Sequence, residues 1–110
     1  MQNGHYKVEF ETPRGAGAGV VFYQDGLVHG GDSMMAYIGA MTEQNGEIAA
    51  EVEATTHTRV PGMMSVFGLD RVTINLLGKS EGDSITLVGR AIEAPGVNFR
   101  AKLSLIRKLS

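Results

Sequence analysis

Apolar and polar residues alternate one for one through most of this chain, and a period of two is the pattern of a β-strand with one buried face. Tyr6, Val8 and Phe10 alternate with Lys7, Glu9 and Glu11, and Ile48, Ala50, Val52 and Ala54 with Ala49, Glu51, Glu53 and Thr55. Val72, Ile74 and Leu76 alternate with Thr73 and Asn75 until Leu77 breaks the pattern. The cleanest run sets Val97, Phe99, Ala101, Leu103 and Leu105 against Asn98, Arg100, Lys102 and Ser104. Between the runs stand Pro13-Arg14-Gly15, Asp25-Gly26, Asn45-Gly46, Glu81-Gly82-Asp83 and Pro95-Gly96. Asp-Gly and Asn-Gly are strong hairpin signals, because both central residues of a type I′ turn need positive φ. The break at Gly30-Gly31-Asp32-Ser33 and the long connection from His57 to Leu69 raise the total to seven breaks and therefore eight strands. They fall near residues 4–11, 16–24, 27–30, 36–42, 47–56, 70–77, 84–92 and 97–107.

Eight short antiparallel strands leave two exposed edges unless the sheet closes on itself. The pattern therefore predicts an all-β, eight-stranded antiparallel up-and-down barrel filling residues 1–110 as one domain, with a two-sheet sandwich as the alternative. Closure is also favoured by charge. The first strand carries Lys7, Glu9 and Glu11 on its outer side and the last carries Arg100 and Lys102, so side by side they make opposite-charge cross-strand pairs. At most one short helical turn is expected, with Asp32 or Ser33 capping Met34 and Met35. A barrel of this size is either filled by its side chains or holds one small ligand. The inward set mixes Tyr6, Phe10, Phe22 and Phe99 with Ala50, Ala54 and Ala101, and the four aromatic residues are the expected lining of a ligand cavity.

Composition removes several function classes. Fifteen Gly, 6% aromatic residues and no Trp disfavour a helical bundle. Ten Lys and Arg against twelve Asp and Glu leave a net charge of −2, without the basic surplus of a nucleic-acid binder. The absence of Cys excludes disulfides, thiolate zinc sites and cysteine nucleophiles. No stretch approaches the roughly 18 apolar residues of a membrane span, and Met1-Gln2-Asn3-Gly4-His5 lacks a secretory signal's charged start and apolar core; a cytoplasmic location is expected. Charge is also unevenly divided: residues 1–55 hold Lys7 and Arg14 against eight acids, residues 56–110 eight bases against four acids.

Few residues have the spacing that chemistry needs. Gly15-Ala16-Gly17-Ala18-Gly19 lacks the third glycine of a dinucleotide fingerprint and opens a strand rather than a helix, which reads as a turn easing a bend. His5, His29 and His57 have no close-spaced ligand partner, so no metal and no cofactor is expected. Ser33 lacks the G-x-S-x-G elbow, and no enzymatic activity is expected; His29, Asp32, His57 and Arg59 form the one polar cluster that could contradict this. Gly30-Gly31-Asp32 reads as positive-φ backbone with the aspartate capping nearby N–H groups. The segment from Val60 to Leu69 is apolar where loops are normally polar. Met63, Met64, Val66 and Phe67 must be buried, either as a lid on the barrel or against a second subunit or partner.

Asn3-Gly4-His5-Tyr6, Gly17-Ala18-Gly19-Val20, Gly30-Gly31-Asp32, Tyr37-Ile38-Gly39 and the hairpin at Asn45-Gly46 together resemble the GrlR family, small bacterial negative regulators of type III secretion gene expression. The likeness spreads over residues 3–56, with Pro95-Gly96-Val97-Asn98-Phe99 its clearest element in the second half. It implies a lipocalin-like barrel, a homodimer, no catalysis, and sequestration of a transcriptional activator through acids around the turn between the fourth and fifth strands. Here that turn, Thr42-Glu43-Gln44-Asn45-Gly46-Glu47, keeps two acids separated by amides and glycine. The acids expected to meet a partner are thus Glu43, Glu47, Glu51 and Glu53. The rival expectation is a carrier or sensor of a small apolar ligand inside the barrel.

Overall fold

A computed structural model, which describes residues 1–109, is built of eight strands and no helix. They are β1 (Gly4–Thr12), β2 (Gly15–Gln24), β3 (Leu27–Gly31), β4 (Met35–Gln44), β5 (Glu47–Thr56), β6 (Arg71–Glu81), β7 (Ser84–Ala91) and β8 (Ala94–Lys108). Each pairs antiparallel with its neighbours in sequence, and β1 pairs with β8, so the sheet is a closed barrel. Glu9 lies opposite Lys102 and Glu11 opposite Arg100, the register the charges predict. The hairpin signals act as the turn chemistry requires: Asp25 and Gly26 have φ of 51° and 88°, Asn45 and Gly46 of 55° and 79°.

Three local expectations are corrected. Pro95-Gly96 is not a turn; the chain reverses at Ile92-Glu93 and β8 already runs from Ala94, with an irregular register near Gly89 and Ala91 absorbing the proline. Gly30 and Gly31 do not have positive φ. They are glycine because a Cβ on Gly30 would run into the Val20 carbonyl oxygen, and one on Gly31 would stand 2.5 Å from that of Met35. Phe22 is not in the interior. On β2 the inward residues are Gly17, Gly19, Val21 and Tyr23, which puts Phe22 on the outer wall between His5 and His29, at ring separations of 5.0 and 5.4 Å. The inward glycines have no side chain to reveal the phase of the strand. A Cβ on Gly17 would meet the Phe10 ring at 2.7 Å.

Strands alternate up and down, so the barrel has two unlike ends. The lower end carries the tight turns at Asp25-Gly26, Asn45-Gly46 and Gly82-Asp83 and is filled by Tyr6 and the N-terminal segment, where the Met1 amino group pairs with Glu43. The upper end carries the β3–β4 connection and the long β5–β6 loop. Between them the core is apolar, with Leu87 fully buried and Val72, Ile48 and Ile85 nearly so. Because this interior cannot collapse without breaking ladder hydrogen bonds, Leu87→Ala is expected to lower the free energy of unfolding by about 2–5 kcal/mol. Leu77→Ala, at a wall position 66% exposed, should change it by no more than about 0.5 kcal/mol. Urea unfolding of both variants checks this.

Candidate functional site

The upper half of the barrel is not filled. Val8 and Phe10 from β1, Tyr37 and Met41 from β4, Val52 from β5 and Phe99 from β8 surround a cavity of about 200 Å³. Its origin is in the sequence. Small inward residues such as Gly17, Ala54 and Ala101 stand among large aromatic ones. Phe10 stacks on Phe99 at 6.1 Å and meets Tyr37 edge-on at 6.1 Å.

The β5–β6 loop closes the top. Phe67, only 4% exposed, stacks on Phe99 at 5.3 Å and 19°, and Val66 packs against the core beside it. Thr12 donates its hydroxyl to the Val66 carbonyl at 2.7 Å, and Arg14 reaches the Phe67 carbonyl from the β1–β2 turn. Ser65 accepts from the Leu69 N–H and donates to the Leu69 carbonyl. The loop is therefore a lid held by its own backbone. Met63 and Met64 border the cavity yet remain 53% and 75% exposed, so they form its rim. At the loop base Arg59 grips Asp70 through two hydrogen bonds of 3.0 and 2.6 Å. That contact holds the Asp70 carboxyl below its ordinary range, but on a fully exposed pair it adds little to stability.

One polar element faces the cavity. The Tyr37 hydroxyl donates to one carboxylate oxygen of Asp32, and the other oxygen accepts the N–H groups of Met34 (2.8 Å) and Met35 (2.7 Å). The capping role expected of Asp32 is present, although what it caps is a bend rather than a helical turn. Burial, then the hydrogen bond and charge of Asp32, push the Tyr37 hydroxyl far above its ordinary pKa.

Other expected site residues are dispersed. Of the four aromatics expected to line a cavity, Phe10 and Phe99 do. Tyr6 is buried below it and donates to the Gln2 carbonyl, and Phe22 is outside. The polar cluster does not assemble: His29 lies against Phe22, Arg59 is spent on Asp70, and His57 Nε2 meets the backbone oxygen of Asp32 at 3.0 Å rather than its carboxylate. Among the acids, Glu47 and Glu51 are exposed on the outer wall and Glu53 holds Arg71 at 2.9 Å. Glu43 is also exposed but sits in the inward phase of β4 at the lower rim, where its carboxylate pairs with the Met1 amino group. The sequence pattern points to neither Thr12 nor Arg14, and it marks Tyr37 only as part of the motif that carries the family resemblance. Tyr37 was legible in principle, since Met35, Tyr37 and Met41 share one parity.

What the arrangement offers chemically is enclosure in apolar surface with one engaged polar pair at the edge. In comparisons with known proteins, no family model and no curated protein matches the chain.

The raised Tyr37 pKa has a definite sign. The folded state holds this proton more tightly than the unfolded chain, whose tyrosines titrate near pH 10, so its contribution is full below about pH 10 and is lost as pH rises beyond it. Unfolding measured across an alkaline series is expected to show stability falling above about pH 10, with a shallower fall in Tyr37→Phe.

Proposed function

We propose that the protein is a non-enzymatic regulatory barrel acting in the cytoplasm, which works by binding another protein, a transcriptional activator, and withholding it from DNA. The observation that carries this reading is the acidic outer face of β5. Glu47 and Glu51 project from a strand hydrogen-bonded on both sides, so a basic partner meets fixed charges rather than a mobile tail. The resemblance to the GrlR family adds to it, because residues that carry it build the scaffold. Asp32 accepts the Tyr37 hydroxyl, and a Cβ on Gly39 would strike the Glu51 carbonyl oxygen. Direct DNA binding is disfavoured by the net charge of −2. Affinity capture from host lysate should recover a DNA-binding activator with the wild-type chain and at least about tenfold less of it with Glu47→Lys/Glu51→Lys. No such protein, or equal recovery with both, overturns the reading.

A second reading is favoured by the cavity: a small apolar molecule bound inside. Its volume of about 200 Å³ is below the roughly 300 Å³ at which drug-sized pockets begin, yet above the roughly 150 Å³ that admits benzene in an apolar core. The occupant is thus a molecule of one or two small rings or a short chain. Indole is expected to raise Tm of the wild type in proportion to its saturation and to leave Ala54→Leu, which fills the cavity, unmoved. No shift in the wild type removes this reading.

A further inference from the structure

Of the twelve acids in the chain, all but Asp32 and Glu53 are exposed to water. Glu53 has a counter-charge, the Arg71 guanidinium at 2.9 Å. Asp32 has none: among the described residues no ammonium or guanidinium lies within ion-pair distance of its carboxylate. The two arginines beside the lid are engaged elsewhere, Arg14 on the Phe67 carbonyl and Arg59 on Asp70. His57 turns its Nε2 to the Asp32 backbone oxygen. A carboxylate drawn partly out of water is costly unless its charge is matched.

This unmatched charge borders the cavity. Asp32 and Met34 of the β3–β4 connection, with Met63 and Met64 of the lid rim, line the same space as Phe10 and Phe99. The Asp32 oxygens accept three hydrogen bonds, from the Met34 and Met35 N–H groups and the Tyr37 hydroxyl, of the roughly four a carboxylate can take. These donors fix the group in place and leave one acceptor position open on the oxygen that Tyr37 holds. All three are neutral. Burial, with Asp32 itself, keeps the proton on Tyr37, so its hydroxyl solvates the charge without cancelling it.

We propose that the barrel binds arylalkylamines, with the aromatic body inside the cavity and the protonated amino head on the Asp32 carboxylate. The inference rests on the second reading above, a small apolar molecule in the lumen, and names the chemistry of that molecule's polar end. An ammonium supplies the missing counter-charge, and its charge-assisted hydrogen bond is roughly twice as strong as a neutral one. Because the carboxylate is already held by three donors, little ordering is left for the ligand to impose. Phe10, Tyr37 and Phe99 add stacking surface for a ring and attraction for a cation. A neutral alcohol gains a hydrogen bond at Asp32 but leaves its charge unmatched, and a carboxylate ligand is repelled by it. The cavity of about 200 Å³ limits the body to one or two small rings, such as an indole.

Titration calorimetry at neutral pH with tryptamine, tryptophol and indole-3-acetate tests this, since the three share an indole body and carry a cationic, a neutral and an anionic head. The wild type is expected to bind tryptamine at least about tenfold more tightly than tryptophol, and indole-3-acetate more weakly than either. Asp32→Asn, whose side-chain oxygen still accepts the N–H groups of the connection, should bind tryptamine and tryptophol alike. Glu11→Gln, which removes a carboxylate from the outer face of β1 near the same end of the barrel, should keep the preference. Ala54→Leu should abolish binding of all three. The wild-type series decides the matter even if Asp32→Asn fails to fold. Equal affinity of the wild type for tryptamine and tryptophol, a preference that survives Asp32→Asn or disappears in Glu11→Gln, or tryptamine binding untouched by Ala54→Leu overturns the proposal. If indole and tryptophol bind and tryptamine binds no better, this inference falls while the cavity reading stands; if none of the four binds, both fall.

Discussion

Hydrogen bonding of β1 to β8 is the constraint on which the remaining structure depends. It satisfies the two edges an eight-strand meander would otherwise expose, and it fixes how much space the inward side chains must fill. Glu9 faces Lys102 and Glu11 faces Arg100 across this seam, but the ion pair Glu9 makes is with Lys7 on its own strand, and exposed pairs of this kind are worth roughly 0–1 kcal/mol. Each fully buried aliphatic residue inside is worth about 1.5–3 kcal/mol. Burial therefore closes the barrel, and the alternation of buried and exposed side chains along β1 and β8 selects the register in which it closes.

Closure also explains why the cavity sits under the lid. At the lower end Tyr6, Met1 and three tight turns occupy the lumen, and there is no loop long enough to do more. At the upper end Gly17 and Gly19 face inward, and the aromatic rings of Phe10 and Tyr37 lie over them. Phe67 enters from the β5–β6 loop and stacks on Phe99. The lid is anchored by Phe67 and Val66 against the core and by side-chain hydrogen bonds from Thr12 and Arg14 to its carbonyl groups.

Strand number, order and closure were legible because alternation and turn chemistry agreed along the whole chain, as at Asp25-Gly26 and Asn45-Gly46. Where the structure departs from that pattern, the causes differ. The glycines that open β2 carry no polarity signal, so the sequence does not fix the phase of Phe22. Pro95-Gly96 resembled a turn because such pairs usually are one, yet an irregular pairing near the β7–β8 turn accommodated the proline. The place of Glu43 in the turn between β4 and β5 does not disclose its pairing, because the partner is an amino group more than forty residues away in sequence. The lid's apolar composition was legible, but Thr12 and Arg14 hold it from a turn over fifty residues distant.

Parity along the strands separates the two surfaces this protein has to offer. Tyr37 faces the cavity while Ile38, next to it, faces outward, and Val52 and Glu53 divide in the same way on β5. Substitutions at adjacent positions therefore act on different properties, one on the interior and the other on the outer wall. The two are not independent mechanically, because β4 carries both and its Tyr37 hydroxyl is tied to the β3–β4 connection through Asp32. A substitution at Tyr37 therefore acts on the cavity wall and, through Asp32, on the β3–β4 connection that caps the same strand.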